Sequence, residues 1–209
     1  MKSIIFDLDG TLIDSSPGIL ASFSNAFTAL GMMPQNPVIP SIIGPPLKET
    51  LCYLSDSVDT KVIDLLASEF KAQYDSTGFM DTVLYDGIKP MLDKILSFGI
   101  DMYIATNKRA LPTEKILHHF KLEHYFKSVY ALDSYSPEIK DKSGLLKKLI
   151  SDFDLNKRDC IYVGDRDEDA QAAEANSIAF YLAGWGFGGA INKAKTSPLN
   201  FLGMIPSVY

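Results

Sequence analysis

Apolar and polar positions along the 209-residue chain fall into two regimes. From about Tyr85 onward, short apolar runs alternate with amphipathic stretches. Ile100–Ala105, Ser128–Leu132, Cys160–Val163 and Ile178–Ala183 read as strands. Ile88, Met91, Leu92, Ile95, Leu96 and Phe98 recur at helical spacing, and Gly99 closes that helix. Leu111–Phe120, Lys142–Phe153 and Asp167–Asn176 read as three more helices. At the opening of the chain, Ile4-Ile5-Phe6 is a short apolar run stopped by Asp-Leu-Asp-Gly, the pattern of a buried strand ending in a tight turn. Apolar strands alternating with helices predict parallel pairing, hence an α/β fold built on a doubly wound sheet.

Between these parts, Ser15–Leu84 carries helical patterns and no strong strand. Ile19, Leu20, Phe23, Ala26, Phe27 and Leu30 define one helix, with Ser15 or Ser16 as cap, Pro17 near its first position and Gly31 at its end. A proline-rich connection follows, from Pro34 to Pro46. Leu47–Leu54 reads as a short helix. Asp59–Tyr74 reads as a longer one, with Val62, Leu65, Leu66, Phe70 and Tyr74 as its apolar positions. The expected organisation is a core domain of residues 1–14 and 85–209, with a helical domain of residues 15–84 inserted after the first strand.

Composition narrows the class. Hydrophobic residues make up 46% of the chain and charged residues 22%, which suits an ordinary globular core. The net charge of −6 argues against nucleic acid or an anionic membrane surface as partner, while leaving room for a local cationic pocket and a small anionic substrate. Cys52 and Cys160 lie far apart and have neither metal-ligand nor redox spacing, so both read as apolar fillers in a reducing compartment. The chain reaches charged Asp7 too early for a signal-peptide core, and it has no run of about eighteen apolar residues that could span a membrane. The expectation is a cytoplasmic protein.

In doubly wound sheets, ligands bind beyond the carboxyl ends of the strands, and the polar residues fall there. Asp7 and Asp9 end the first strand, Thr106 the next, and Asp165 the strand from Cys160, with Asp169 one helical turn further on. Two carboxylates this close repel and call for a counter-charge. An all-oxygen ligand set points to Mg²⁺ rather than Zn²⁺. Each piece also has a plainer reading: Asp-Gly as a turn, Asp7 or Thr106 as a helix cap, Asp165-Arg166-Asp167 as dipole complementation, and Lys142 as a solvated lysine. Taken together they suit a phosphate monoester. A carboxylate nucleophile would take the phosphoryl group, and a second carboxylate would move the proton. Residues two apart on a strand share a side, so Asp7 and Asp9 can reach one phosphorus.

Asp7-Leu8-Asp9-Gly10-Thr11-Leu12-Ile13-Asp14 resembles the first motif of the haloacid dehalogenase (HAD) superfamily. Thr106-Asn107 resembles its second, Lys142 its third, and Gly164 through Asp169 its fourth. The resemblance runs over nearly the whole chain. Ile43-Gly44-Pro45-Pro46-Leu47, Ala105-Thr106-Asn107-Lys108 and Trp185-Gly186-Phe187-Gly188 make it most similar to the phosphoglycolate phosphatase group.

The resemblance implies a Rossmann-like core with a small helical cap inserted after the first strand. It implies Mg²⁺-dependent hydrolysis of a small phosphate monoester through an aspartyl-phosphate. Asp7 would be nucleophile and metal ligand. Asp9 would be general acid/base and give the metal its backbone carbonyl. Gly10, Thr106, Asn107 and Lys142 would bind the phosphoryl group or balance its charge. Asp165 would ligate Mg²⁺, with Asp169 in direct or water-mediated support. Gly44–Leu47 would face the substrate, with Lys48 as a contact for a second anionic group. The segment Ser136–Asp141 lacks the Lys-Pro that often marks the third motif, which leaves Lys140 as a rival to Lys142. A sugar-phosphate mutase of the same fold and a phosphate-binding module without catalysis are the competing functions. A dehalogenase would lack the second carboxylate that Asp9 supplies.

Overall fold

Ser3–Phe6 (β1) pairs in parallel with strands on both sides, which explains why all four of its residues are buried. The computed structural model describes residues 1–136, 139–188 and 196–205. Asp101–Thr106 (β4) and Cys160–Gly164 (β6) flank β1, with Ile5 opposite both Tyr103 and Tyr162. Ser128–Ala131 (β5) and Ala179–Leu182 (β7) complete a five-stranded parallel sheet in the order β5-β4-β1-β6-β7.

Alternation along the strands sends side chains to two faces. Ile4, Phe6, Met102 and Ile104 pack in one layer with Ile88–Ser97 (α4), Ala110–Phe120 (α5) and Phe201 of the short helix Pro198–Leu202 (α8). Ile5, Tyr103, Ala105 and Tyr162 pack in the other, against Lys142–Asp152 (α6) and Asp167–Ala175 (α7). The doubly wound α/β expectation holds.

The helical insert leaves and rejoins the core through one small ribbon. Ile13–Asp14 (β2) pairs antiparallel with Val83–Leu84 (β3). Between them, Ser16–Ala29 (α1) and Leu47–Ser55 (α2) pack on Thr60–Ser76 (α3). Phe23, Phe70 and Tyr74 stack in series, with ring centroids 4.5 and 5.5 Å apart. Such aromatic pairs add about 0.5–1.5 kcal/mol each beyond their buried area.

Three details differ from the sequence expectations. Helix α3 buries Ile63, Leu66, Ala67, Phe70 and Tyr74, while Leu65 is exposed. Neighbouring apolar pairs, Val62-Ile63 and Leu65-Leu66, satisfy the helical period in either of two rotations, and packing on α1 selects one. Ser15 stands at the N-cap of α1 but makes no capping hydrogen bond, because its hydroxyl donates to Asp9. Helix α5 begins at Ala110 with Arg109 at its N-cap, so Thr106 is not a helix cap, the plainer reading of that residue. Of the segment before Lys142, Pro137 and Glu138 lie outside the described residues, as does Gly189 with 190–195 and 206–209 of the tail.

Candidate active site at the carboxyl ends of β1, β4 and β6

The two inner neighbours of β1 bring their ends beside its own. Asp7 follows β1, Thr106 closes β4 and Asp165 follows β6, so one row of strand ends gathers residues more than 150 positions apart. Asp7, Asp165 and Asp169 are all buried, and each offers a carboxylate oxygen within 4.8 Å of the other two. Asp7 Oδ1 and Asp165 Oδ1 have no hydrogen-bond partner. Buried carboxylate oxygens left unpaired are costly unless a cation meets them. The donor set is all oxygen. Both features fit a hard divalent metal ion.

The remaining oxygens of Asp165 and Asp169 are engaged. Asp165 Oδ2 accepts from the backbone N–H groups of Phe187 and Gly188 at 2.8 and 3.0 Å. Asp169 Oδ1 accepts from Lys142 Nζ at 2.6 Å and from the Tyr162 hydroxyl at 3.2 Å, and its Oδ2 accepts from Arg166 N at 3.0 Å. Lys142 is buried and stands 3.2 Å from Asp7 Oδ1, close enough for an ion pair though not aligned as a hydrogen bond. Lys140 is exposed, so Lys142 is the lysine at the cluster.

This crowding sets the electrostatics. Burial pushes the Asp7 carboxyl up from 3.8 to about 8, with Lys142 opposing and Asp169, Asp165 and Asp9 adding to the rise. Burial likewise raises Asp165 to about 6, with Asp169 adding and Arg166 opposing. Burial lowers the Lys142 ammonium, but Asp169 and Asp7 outweigh it and hold it above its ordinary value. Each of these carboxylates is short of positive charge.

Glycines let the backbone close over the cluster. Gly10 has φ +81, and a Cβ there would overlap the Asp165 carboxylate. A Cβ on Gly186 would overlap the Gly10 carbonyl. The loop from Trp185 is tied down where the Trp185 indole N–H donates to Thr11 O at 2.8 Å.

Asp9 faces elsewhere. Its carboxylate is outside the three-Asp cluster and is held by Lys108 and Ser15. Thr106 is buried, and its Oγ1 accepts from Lys108 N at 3.2 Å. Asn107 Nδ2 donates to Gly44 O and Glu168 Oε1, both at 3.0 Å, while its Oδ1 is buried without a partner. A cavity of about 70 Å³ lies above Asp9, lined by Asn107, Lys108 and Arg109 of the core and by Gly44, Thr50 and Tyr74 of the insert, among mostly apolar side chains. Lys48 pairs with Asp64 at 2.7 Å on the exposed face of the insert.

Sequence reasoning did not single out Ser15, Tyr74, Glu168 or Arg166 as site groups, and it used Lys108 only as part of a resemblance. Tyr74 fitted the apolar face of α3, and its polar tip is not legible in a periodicity. Arg166 reaches back to the insert, donating to Pro40 O and Ser41 O at 3.2 Å. No local spacing links positions so far apart.

The chain matches the haloacid dehalogenase-like hydrolase family over residues 4–183 and belongs to it. It is 34% identical over 197 residues to the tyrosine-protein kinase PtkA of Mycobacterium tuberculosis, covering 93% of this chain and 66% of that one. The chain thus spans just under two thirds of that relative. It is 29% identical to a 5'-nucleotidase of Pseudomonas aeruginosa, with 95% and 90% of the two chains covered. Relatives named phosphoglycolate phosphatase match at 26–28% identity. Among solved structures, the haloacid dehalogenase-like hydrolase SP0104 of Streptococcus pneumoniae superposes with a TM-score of 0.84 at 26% identity, covering 98% of both chains. No helix among the described residues is long and apolar enough to cross a membrane.

Proposed function

We propose that the protein is a Mg²⁺-dependent phosphatase acting on a small phosphate monoester through an aspartyl-phosphate at Asp7. The observation that carries this reading is the buried Asp7 oxygen that accepts no hydrogen bond, in one cluster with the like oxygen of Asp165 and 3.2 Å from the Lys142 ammonium.

Asp7, Asp165 and the backbone carbonyl of Asp9 would hold the metal, with Asp169 behind them because Lys142, Tyr162 and Arg166 N already occupy its oxygens. A bound Mg²⁺ would supply positive charge to the phosphoryl oxygens and keep Asp7 ionised. Asp7 attacks phosphorus, the ester P–O bond breaks, and the departing oxygen takes a proton from the Asp9 carboxyl. Water then attacks phosphorus as Asp9 takes its proton, and Asp7 is released with inorganic phosphate. Lys142 and the Thr106-Asn107 turn stabilise the charge on the transferring group. Residues 15–84 act as a cap domain over the core of 1–14 and 85–209, excluding water from the site.

The cavity above Asp9 is smaller than the roughly 300–1,000 Å³ of sites that enclose drug-sized ligands, which favours an ester with a leaving group of few atoms. The relatives named phosphoglycolate phosphatase support that choice. The kinase relative favours a second reading, in which a tyrosine hydroxyl rather than water receives a phosphoryl group.

Phosphate release from a panel of phosphomonoesters, 2-phosphoglycolate and a nucleoside monophosphate included, tests the proposal with Mg²⁺ and with EDTA. Release that needs Mg²⁺ and prefers the small ester supports it. No release from any ester, together with phosphotyrosine formation from ATP, overturns it in favour of the kinase reading.

A further inference from the structure

Among the described residues, the cation nearest Asp9 is not Lys142 but Lys108, two residues after Thr106. Its side chain is only 4% exposed. Its Nζ has three acceptors within hydrogen-bond distance: Asp9 Oδ1 at 3.0 Å, Asp9 Oδ2 at 3.2 Å and the Tyr74 hydroxyl oxygen at 2.7 Å. A buried ammonium is tolerated where such partners replace its water. Tyr74 belongs to α3 of the insert, and its ring is stacked on Phe70. Ser15 donates to Asp9 Oδ1 from the start of α1. Asp9 is therefore clamped by a lysine from the core loop, and that lysine is itself held by a tyrosine from the insert.

We infer that Lys108 is the positioning residue for proton transfer by Asp9, and that Tyr74 completes the arrangement from the insert. The inference rests on the role given to Asp9 above. A proton donor works only when its oxygen lies within about 2.6–3.2 Å of the atom it serves. A carboxylate two bonds from its backbone can rotate away, and a misplacement of about 1 Å costs on the order of 10²-fold in rate. Lys108 contacts both oxygens of Asp9 and so removes that freedom. Because the ammonium also donates to Tyr74, the clamp is complete only with α3 against the core. The cluster is built to orient a carboxylate, and Lys108 itself touches no reacting atom.

The role predicts which esters suffer when the clamp is broken. Ethyl phosphate loses an alkoxide that needs a proton as the P–O bond breaks. Acetyl phosphate loses acetate, which needs none. Both are small, and kcat/KM for each reports the steps up to formation of the aspartyl-phosphate. With the full chain and Mg²⁺, Asp9→Asn lowers kcat/KM for ethyl phosphate by about 10²-fold or more, the usual worth of a general acid, and spares acetyl phosphate. Lys108→Met is expected to lower ethyl phosphate hydrolysis at least about tenfold more than acetyl phosphate hydrolysis, because it misplaces the same proton. Equal losses on both esters in Lys108→Met, with unequal losses in Asp9→Asn, overturn the inference and leave the role of Asp9 standing. Equal losses in Asp9→Asn overturn both. Tyr74→Phe keeps the Lys108–Asp9 pair and carries the test if Lys108→Met does not fold. It should show the same unequal loss at smaller size, and an equal loss or none overturns the inference.

Discussion

The Lys142 ammonium stands 3.2 Å from the Asp7 carboxylate, with both side chains at least 94% buried. It also donates to Asp169 at 2.6 Å, so one cation serves two buried carboxyl groups. Removing one partner of such a group leaves uncompensated buried charge, which costs about 3–5 kcal/mol. Lys142→Ala should lower stability by about that amount in urea unfolding without metal, and Mg²⁺ should recover part of the loss. An unchanged unfolding midpoint would remove Lys142 from its place as structural counter-ion.

Stability without metal should depend on pH in a fixed direction. Asp7 is raised from 3.8 to about 8 and Asp165 to about 6, both first by burial. Between about pH 4 and pH 8 the folded state therefore binds more protons than the unfolded state, so stability falls as pH rises through that window. Thermal unfolding in EDTA should show Tm dropping from pH 5 to pH 8. Mg²⁺ should flatten the drop, because it binds the ionised carboxylates and not the unfolded chain. A Tm that rises across this range in EDTA would contradict the electrostatic account of the cluster.

Gly10 has a φ of +81 and sits against the Asp165 carboxylate. Gly10→Ala adds a Cβ where that carboxylate lies, at a backbone angle that costs a non-glycine residue about 1–3 kcal/mol. Lower stability together with weaker Mg²⁺ binding in calorimetry is the expected pair of effects. Wild-type metal affinity in a folded Gly10→Ala protein would show that the approach of this turn to Asp165 is not needed.

Asp165 contributes an unpaired oxygen to the cluster while its other oxygen is tied to Phe187 N and Gly188 N. Asp165→Ala should weaken Mg²⁺ binding at least about tenfold in direct titration, whatever its effect on turnover. An unchanged affinity would take Asp165 out of the metal shell.

The local parts of this architecture were legible in the sequence. Ile4-Ile5-Phe6 before Asp-Leu-Asp-Gly announced a buried strand with a polar end, and Cys160–Val163 before Gly-Asp announced another. Alternation of strands with helices gave the parallel sheet. The β2–β3 ribbon was not legible, since each strand has two residues and 68 residues separate Asp14 from Val83. The sequence leaves Lys140 as a rival to Lys142, and burial decides between them: Lys142 is buried and Lys140 exposed. Contacts between insert and core, such as Lys108 to Tyr74 and Arg166 to Pro40 O, join residues with no shared periodicity. They depend on how the insert lies against the sheet, which no stretch of sequence encodes by itself.

The central claim is that Asp7 itself carries the phosphoryl group. The direct measurement is acid quenching during turnover of a hydrolysed ester, followed by peptide mass spectrometry of the residues around Asp7. The account predicts a phosphoryl adduct on Asp7, discharged by hydroxylamine and missing from an inactive but folded Asp7→Asn protein. Full turnover by Asp7→Asn, or an adduct on another residue, would contradict it.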